Sequence, residues 1–383
     1  MPGNVSLLTK ALAIAMAMAD AASSSQLKPR LVGESPKNGR TSFPAVKIPH
    51  KQINSRATST VDVGSNWYIQ AWIGTPGQSF YFLADSGAPN LSIESTLEPS
   101  SQQGDIPLYN PQNSSTAEIM DGYSYSECFG SGYCDNGVVY TDIFTVGQLA
   151  YEGMPIMVQT NNTSPSNGVR SGNLGLNVDH GGMSTEPERL PSFFQHILPD
   201  LDQPLWTVDF QAANNTGQFD FGYIDTSKYT GDIAYGNITT TNGLWTVEIQ
   251  GIGAGYDDSA FKSHQFQVVF DTGTGGGSIS RDIADLYWSQ VPNSQWNDGW
   301  SNYLYPCNQT LPDFVIQLAD GSKVGIPSDG LFSKAADDGS GLCATMLAIA
   351  DGDDTLWGQA WIEKWFVIFD WGNNRLGVAN KDQ

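Results

Sequence analysis

Asp85-Ser86-Gly87 and Asp271-Thr272-Gly273 stand 186 residues apart, each directly after an apolar segment. Each is followed at nearly the same distance by an apolar residue and a glycine. Leu174-Gly175 comes 90 residues after Asp85, and Trp357-Gly358 comes 87 residues after Asp271. One such tripeptide alone is an ordinary turn in most proteins. Repeated at matched spacing, it points to two similar half-molecules that each deliver one carboxylate to a shared site. Adjoining carboxylates repel, so one keeps its proton while the other stays charged, which supplies an acid and a base together. The hydroxyl residue and the glycine suit a tight turn held by a buried hydroxyl hydrogen bond.

A chain of 383 residues has room for two lobes with proper cores. Its 18 Lys and Arg face 40 Asp and Glu, and the imbalance is unevenly placed. Residues 1–60 hold eight basic and two acidic residues, a charge of +6; residues 61–383 hold ten and 38, a charge of -28. Nucleic acid and anionic membrane are poor partners for such a body. The two parts of the chain should attract each other.

Lys10, the apolar run Ala11 to Ala19 and the small residues Ala21 and Ala22 read as a secretory signal over residues 1–22. A short buried helix is the alternative. Residues 23–60 are polar, basic and broken by Pro36, Pro44 and Pro49, and read as a basic prosegment. A basic strip folded over an acidic cleft would be held while carboxylates are ionised and released as they protonate, so activation in acid is expected. A tail with no regulatory role is the other reading. Residues 61–205 and 206–383 are then the N-terminal and C-terminal lobes. No long apolar stretch follows the leader, so neither a transmembrane helix nor a C-terminal lipid anchor is expected.

Secretion agrees with an even set of four cysteines, Cys128, Cys134, Cys307 and Cys343, for which sequential pairing is the simplest of three connectivities. It also agrees with Asn-x-[Ser/Thr] sequons at Asn4, Asn90, Asn113, Asn161, Asn162, Asn214, Asn237 and Asn308, several of which should carry glycans. Asn90, five residues after Asp85 in an apolar context, is expected to be bare.

Most of residues 61–375 reads as short aromatic or β-branched strands bounded by turn residues, as in Trp67 to Ile73, Gln267 to Phe270 and Phe366 to Phe369. The helix candidates are Leu190 to His196 and Arg281 to Ser289. Neither His196 nor His264 has a partner at metal-ligand spacing, and no Gly-x-Ser-x-Gly elbow or phosphate-binding glycine loop occurs. No cofactor, metal or oligomer is called for, so a monomer is expected.

From about residue 62 to 380 the sequence resembles the pepsin-like aspartic peptidases, closest to the secreted fungal ones. The likeness rests on an ordered set of segments: Ile73-Gly74-Thr75-Pro76-Gly77-Gln78, the first Asp-Ser-Gly, Tyr109-Asn110-Pro111 and Gly172-Asn173-Leu174-Gly175-Leu176. It continues with Phe221 to Asp232, the second Asp-Thr-Gly-Thr, Phe369-Asp370 and Asn374 to Ala379. The resemblance implies a mainly β, bilobal fold with a central cleft and one aspartate from each lobe at its floor. Asp85 and Asp271 would then hold a water that attacks a peptide carbonyl. Ser86 and Thr272 would lock the two loops together, Gly87 and Gly273 would bring backbone N–H groups to the carboxylates, and Thr274 would donate to substrate or to Asp271. Apolar side chains at the scissile bond are what the family implies.

Alignment with the family puts a flap tip at Phe129-Gly130-Ser131-Gly132. Phe129 stands where a tyrosine is usual, and Ser92 where that tyrosine's tryptophan partner is usual. Ala88 and Pro89 replace two serines after the first motif, and Gly275 replaces one after the second. Ala88 has no side-chain donor for Asp85, so a less firmly poised dyad is expected, at about 1–3 kcal/mol for a lost buried donor. A Cys128–Cys134 bond would staple the flap hairpin, with Phe129 and Tyr133 crowding the cleft from above as an apolar surface. Cys307 and Cys343 match the family's disulfide in the second lobe. The first reading is a secreted, acid-active aspartic endopeptidase. The alternatives are an acid–base enzyme acting on an apolar small molecule (dehydration, isomerisation or cyclisation) on the same fold, and a catalytically silent binding protein.

Overall fold

The computed structural model describes residues 29–32, 35–49, 65–130, 132–163, 170–179, 181–239, 242–331, 333–335, 340–345, 347, 349–350 and 355–381. The signal expected over 1–22, the whole 50–64 stretch and Ser131 lie outside the described residues.

Alternating and continuous apolar runs become strands, as their β-branched and aromatic content dictates. In chain order these are β1 (Arg30–Leu31), β2 (Thr41–Pro49), β3 (Ser65–Ile73), β4 (Gln78–Asp85), β5 (Leu91–Ile93), β6 (Glu118–Cys128), β7 (Cys134–Val146), β8 (Leu149–Asn162) and β9 (Gly172–Gly175). In the first half β3, β4, β9, β5, β8 and β7 pair in turn, and β7 pairs back onto β3, closing the sheet into a barrel. Closure removes the sheet edges. Its interior is apolar, with Phe82, Leu91, Phe144, Ile156 and Leu174 fully buried.

The second half repeats the key crossing. β4 ends at Asp85 and runs parallel to β9, placing Ala84 opposite Leu174, while β5 returns antiparallel on the far side of β9. In the second half the strand Phe261–Phe270 ends just before Asp271 and runs parallel to Leu356–Trp357, while Gly277–Ser280 returns antiparallel on the far side. The matched spacing in the sequence is therefore a repeated strand topology, and each apolar-Gly pair lies beside its aspartate strand. Between the halves an antiparallel sheet runs from β3 through β2, Thr216–Phe221, Trp206–Gln211, Trp365–Asp370 and Arg375–Asn380 to Thr230–Asn237. Trp206 lies flat on Phe369 at 3.8 Å between ring centroids, and Trp245 meets Phe369 edge-on at 5.0 Å.

Helices form at both expected places, Phe193–Ile197 and Arg281–Trp288. The first starts at Ser192, whose hydroxyl accepts from the Gln195 N–H while the Gln195 side chain accepts from the Ser192 N–H, a capping box. A third, Gln359–Ile362, follows Gly358 directly. Among the described residues no helix is long and apolar enough to cross a membrane.

The described part of the 23–60 segment is not a loose strip. β1 pairs with β8, and β2 is hydrogen-bonded on both edges, to β3 and to Thr216–Phe221, with Phe43 and Ala45 in the core. Its basic side chains find carboxylates of the body: Arg30 pairs with Glu152, Arg40 with Asp202 and Lys47 with the buried Glu363 at 2.9 Å. Of the sequons, Asn90 is fully buried and its Oδ1 accepts from the Ser184 N–H, while the Asn162 Nδ2 donates to Glu98 at 2.6 Å. The described sequons Asn113, Asn161, Asn214, Asn237 and Asn308 are exposed.

Candidate active site

The two motif loops meet about an approximate two-fold axis. The Ser86 hydroxyl donates to the Phe270 carbonyl at 3.0 Å and accepts from the Thr272 N–H at 2.8 Å. The Thr272 hydroxyl donates to the Ala84 carbonyl at 2.6 Å and accepts from the Ser86 N–H at 3.0 Å. Each hydroxyl thus bonds the backbone of the opposite half, and both are fully buried. Four such bonds satisfy both buried hydroxyls and fix the two loops relative to each other.

The glycines are required by close approach. A Cβ on Gly273 would lie 2.1 Å from Asp85 Oδ1, and one on Gly87 would lie 2.9 Å from Asp271 Oδ1. Each loop therefore lies against the other loop's carboxylate. The Gly87 N–H donates to Asp85 Oδ1 and the Gly273 N–H to Asp271 Oδ1, both at 2.8 Å. Thr274 takes the second of its two expected roles, donating to Asp271 Oδ2 at 2.6 Å.

Asp85 is buried, and its pKa stands well above the ordinary carboxylate range. Desolvation is the first cause and the neighbouring Asp271 the second; Glu127 adds to the rise, while the Gly87 N–H and Arg170 oppose it. Two carboxyl groups placed so close titrate as a pair and are arranged to share a proton.

Loss of the donor at position 88 does not leave Asp85 short of bonds. Asn173, from β9, donates through Nδ2 to Asp85 Oδ2 at 2.9 Å, and Arg170 donates to Asn173 Oδ1 at 3.0 Å. The expectation of a less firmly held Asp85 is corrected on that ground: the donor comes from another strand. At Gly275 a Cβ would lie 2.4 Å from Asn66 Oδ1 of β3, so a side chain there would displace that amide. Gln359 adds a tie between the halves, donating to the Thr272 carbonyl at 2.6 Å and accepting from the Trp67 N–H at 2.9 Å.

The flap is the β6–β7 hairpin, with Cys128 opposite Cys134 and bonded to it. The Phe129 N–H donates to the Tyr133 carbonyl and the Gly132 N–H to the Phe129 carbonyl, closing the tip. Gly130 is exposed at that tip. Phe129 and Tyr133 do not present a purely apolar ceiling. Both rings stand 5.9 Å from the Arg170 guanidinium carbon, and Phe129 helps wall a narrow polar space with Ser92, Glu94, Asp135, Arg170 and Asn173. The Tyr133 hydroxyl donates to Gln159 Oε1 at 3.2 Å, and Gln159 Nε2 donates to the buried Asp135 at 2.7 Å. Burial and the neighbouring Glu127 push the Asp135 pKa up to about 7. Cys307 and Cys343 are bonded in the second lobe.

Asn173, Arg170, Gln359 and Asn66 carry no role in the sequence reading. Asn173 had a visible signal: a polar residue beside Leu174 in a strand expected to be buried must find a partner. Which partner depends on the crossing of β4 and β9, which spacing alone does not resolve to a single side chain.

Two halves on one plan, interlocked by hydroxyls and presenting paired aspartates, define an aspartic protease. The eukaryotic aspartyl protease family model matches residues 66–381, and the chain belongs to that family. It is 30% identical over 312 residues to podosporapepsin of Podospora anserina, covering 81% of this chain and 72% of that protein. It is 28% identical over 339 residues to endothiapepsin of Cryphonectria parasitica, covering 87% and 80% of the two chains. Penicillopepsin-1 of Penicillium janthinellum is 28% identical over 325 residues, covering 84% of this chain and 98% of its own.

Proposed function

We propose that the chain is a secreted, acid-active endopeptidase in which Asp85 and Asp271 hold the hydrolytic water between them. What carries the reading is the reciprocal approach of the loops: Gly273 leaves room for Asp85 and Gly87 leaves room for Asp271. Two carboxyl groups so placed share one proton at acid pH. Asp271, as carboxylate, takes a proton from the water as its oxygen bonds to the peptide carbonyl carbon. Asp85, as acid, gives its proton to the carbonyl oxygen, forming a neutral tetrahedral diol. Collapse returns a proton from one diol hydroxyl to the dyad, places a proton on the amide nitrogen and breaks the C–N bond. The dyad ends with the single proton it started with.

The substrate is a peptide or protein. Secretion rests on the leader, the sequons and the disulfides. Removal of the 23–60 segment would require β2 to leave two strand neighbours and Lys47 to leave Glu363. Acid would assist by protonating carboxylates.

The test is cleavage of a diverse peptide library by the mature protein across about pH 3 to 6, the range where paired carboxylates share a proton. An Asp271→Asn protein, prepared already processed, is the control. Cutting that vanishes in the variant is expected. A folded wild-type protein that cuts nothing would overturn the endopeptidase reading.

A further inference from the structure

We propose that Asn173 is a positioning residue for Asp85, held in orientation by Arg170 and through it tied to the flap. The inference rests on the reading of the dyad given above. Asn173 is 2% exposed, in the middle of β9, with Leu83 of β4 opposite it on one side and Ser92 of β5 on the other. A buried amide must have both ends satisfied. Here the NH2 end meets Asp85 Oδ2 and the carbonyl end meets Arg170 Nη1. Turning the amide over would set its oxygen against a carboxylate and its NH2 against a guanidinium. Both contacts would become repulsive, so Arg170 decides which way Asn173 points. Its positive charge also polarises the amide, strengthening the bond to Asp85.

Arg170 is held in turn by the flap tip. The Phe129 and Tyr133 rings stand at equal distance from its guanidinium, 5.9 Å each, and are 5.9 Å from one another. Ser92 is small enough to leave the guanidinium its place in the shared pocket. A chain of contacts therefore runs from the stapled flap tip through Arg170 and Asn173 to one carboxylate of the pair. Asp271 has no counterpart from its own half's crossing; its second bond comes from Thr274, in its own loop.

The charged and titratable groups facing this chain are on several elements. Asp85 faces Asp271, Glu127 and Arg170. Arg170 faces Glu127 of β6, Tyr133 at the flap tip, Asp135 of β7 and Tyr68 of β3, and shares its pocket with Glu94. Changing Asn173 alone removes none of these charged or titratable groups. A shift in an Asn173 variant therefore reports the lost bond.

Removing the Nδ2 donor withdraws a bond that favours the charged form of Asp85, so the proton is held more tightly. In Asn173→Leu the alkaline limb of kcat/KM against pH should move up by about half to one unit, and kcat should fall about ten- to a hundredfold with KM within about threefold. Arg170→Met should move the limb in the same direction, because the amide is then free to turn. Arg170→Lys, which keeps the charge without the planar fork, should lie between. A merely structural role would lower the melting temperature and leave the limb in place. The second measurement is the Asp85 carboxyl titration, followed by 13C NMR in the wild-type and Asn173→Leu proteins, which requires no turnover. If the wild type cleaves no peptide, the endopeptidase reading fails, and the titration still decides this one. An unshifted Asp85 titration in folded Asn173→Leu, or unshifted limbs with kcat within twofold, overturns the proposal.

Discussion

The loops of Asp85 and Asp271 share a strand crossing, a reciprocal hydroxyl lock and a glycine that yields space to the other carboxylate, yet their second donors have different origins. Asp271 is served from within its own loop, by the Thr274 hydroxyl three residues on. Asp85 is served by Asn173, 88 residues away, and that amide is braced by an arginine under the flap. A local donor depends on turn geometry alone. A remote donor makes one aspartate responsive to what happens at the flap and at the pocket beneath it. The symmetric parts carry the reaction common to the family, and the asymmetric part is where this chain tunes it.

The sharpest test of the symmetry is to remove each carboxylate. Asp85→Asn and Asp271→Asn should each lower kcat by at least about a thousandfold, since one amide in the pair abolishes either the acid or the base. Peptide turnover at acid pH checks it. If either variant keeps more than a tenth of wild-type activity, the two aspartates do not work as a pair.

The second largest effect contrasts two buried ionisable groups and is read in stability against pH. Asp135 beside the flap has a folded-state pKa raised from 3.8 to about 7. Its contribution is fully present below the unfolded value and is lost as pH rises through the folded one. The protein should therefore lose on the order of 4 kcal/mol between about pH 4 and 7 from this group. His196 is opposite in sign: burial lowers its pKa from 6.5 to about 4, so stability present above the ordinary value is lost as pH falls through the folded one. That loss is on the order of 3 kcal/mol. The two terms act in opposite directions over nearly the same range, so urea midpoints of the wild type should change little across it. Asp135→Asn should unmask a rise in stability with pH and His196→Gln a fall; a curve unchanged by both would remove either group as a determinant.

A smaller contrast lies in the two glycines. Gly273→Ala puts a methyl 2.1 Å from Asp85 Oδ1, where Gly87→Ala puts one 2.9 Å from Asp271 Oδ1. Both contacts require a shift, and the first requires more. We expect Gly273→Ala to cost about 3 kcal/mol of stability or transition-state binding, and Gly87→Ala about 1–2 kcal/mol. Chemical denaturation and kcat/KM of both variants would establish the order. The reverse order would mean that the Asp271 side is the more tightly held.

The symmetric part of this comparison was legible in the sequence because it repeats. Asp-[Ser/Thr]-Gly and the later apolar-Gly pair recur at matched distance, and the strand topology has the same repeat. Thr274 was legible because its carboxylate is three residues away. The tie to Asn173 was not, because it is made between parallel neighbours far apart in the chain. A family pattern marks Ala88 as a lost donor without showing where another could come from. Arg170 is harder still: its role exists only where β9, the flap tip and the space left by Ser92 converge. β2 misled in the opposite direction, since its two prolines and Lys47 obscured a strand that the sheet accepts between two neighbours.

The smallest expected effect on activity comes from the two disulfides. Cys128–Cys134 spans a sequence separation of 6 and Cys307–Cys343 one of 36. If constraint of the unfolded chain dominates, the first contributes about 2 kcal/mol and the second about 4 kcal/mol. Each bond has one exposed cysteine, Cys128 in the flap and Cys307 in the second lobe, so both are open to a reductant. Replacing both flap cysteines with serine should therefore lower the melting temperature less than the same change at Cys307 and Cys343. It should alter function more, because Phe129 and Tyr133 would no longer hold Arg170 in one place. The readout is the alkaline limb of kcat/KM, which should move in the flap variant toward that of Asn173→Leu and stay fixed in the other. A flap variant whose limb does not move would confine the tuning of Asp85 to Asn173 and Arg170, with the flap above them serving only to cover the site.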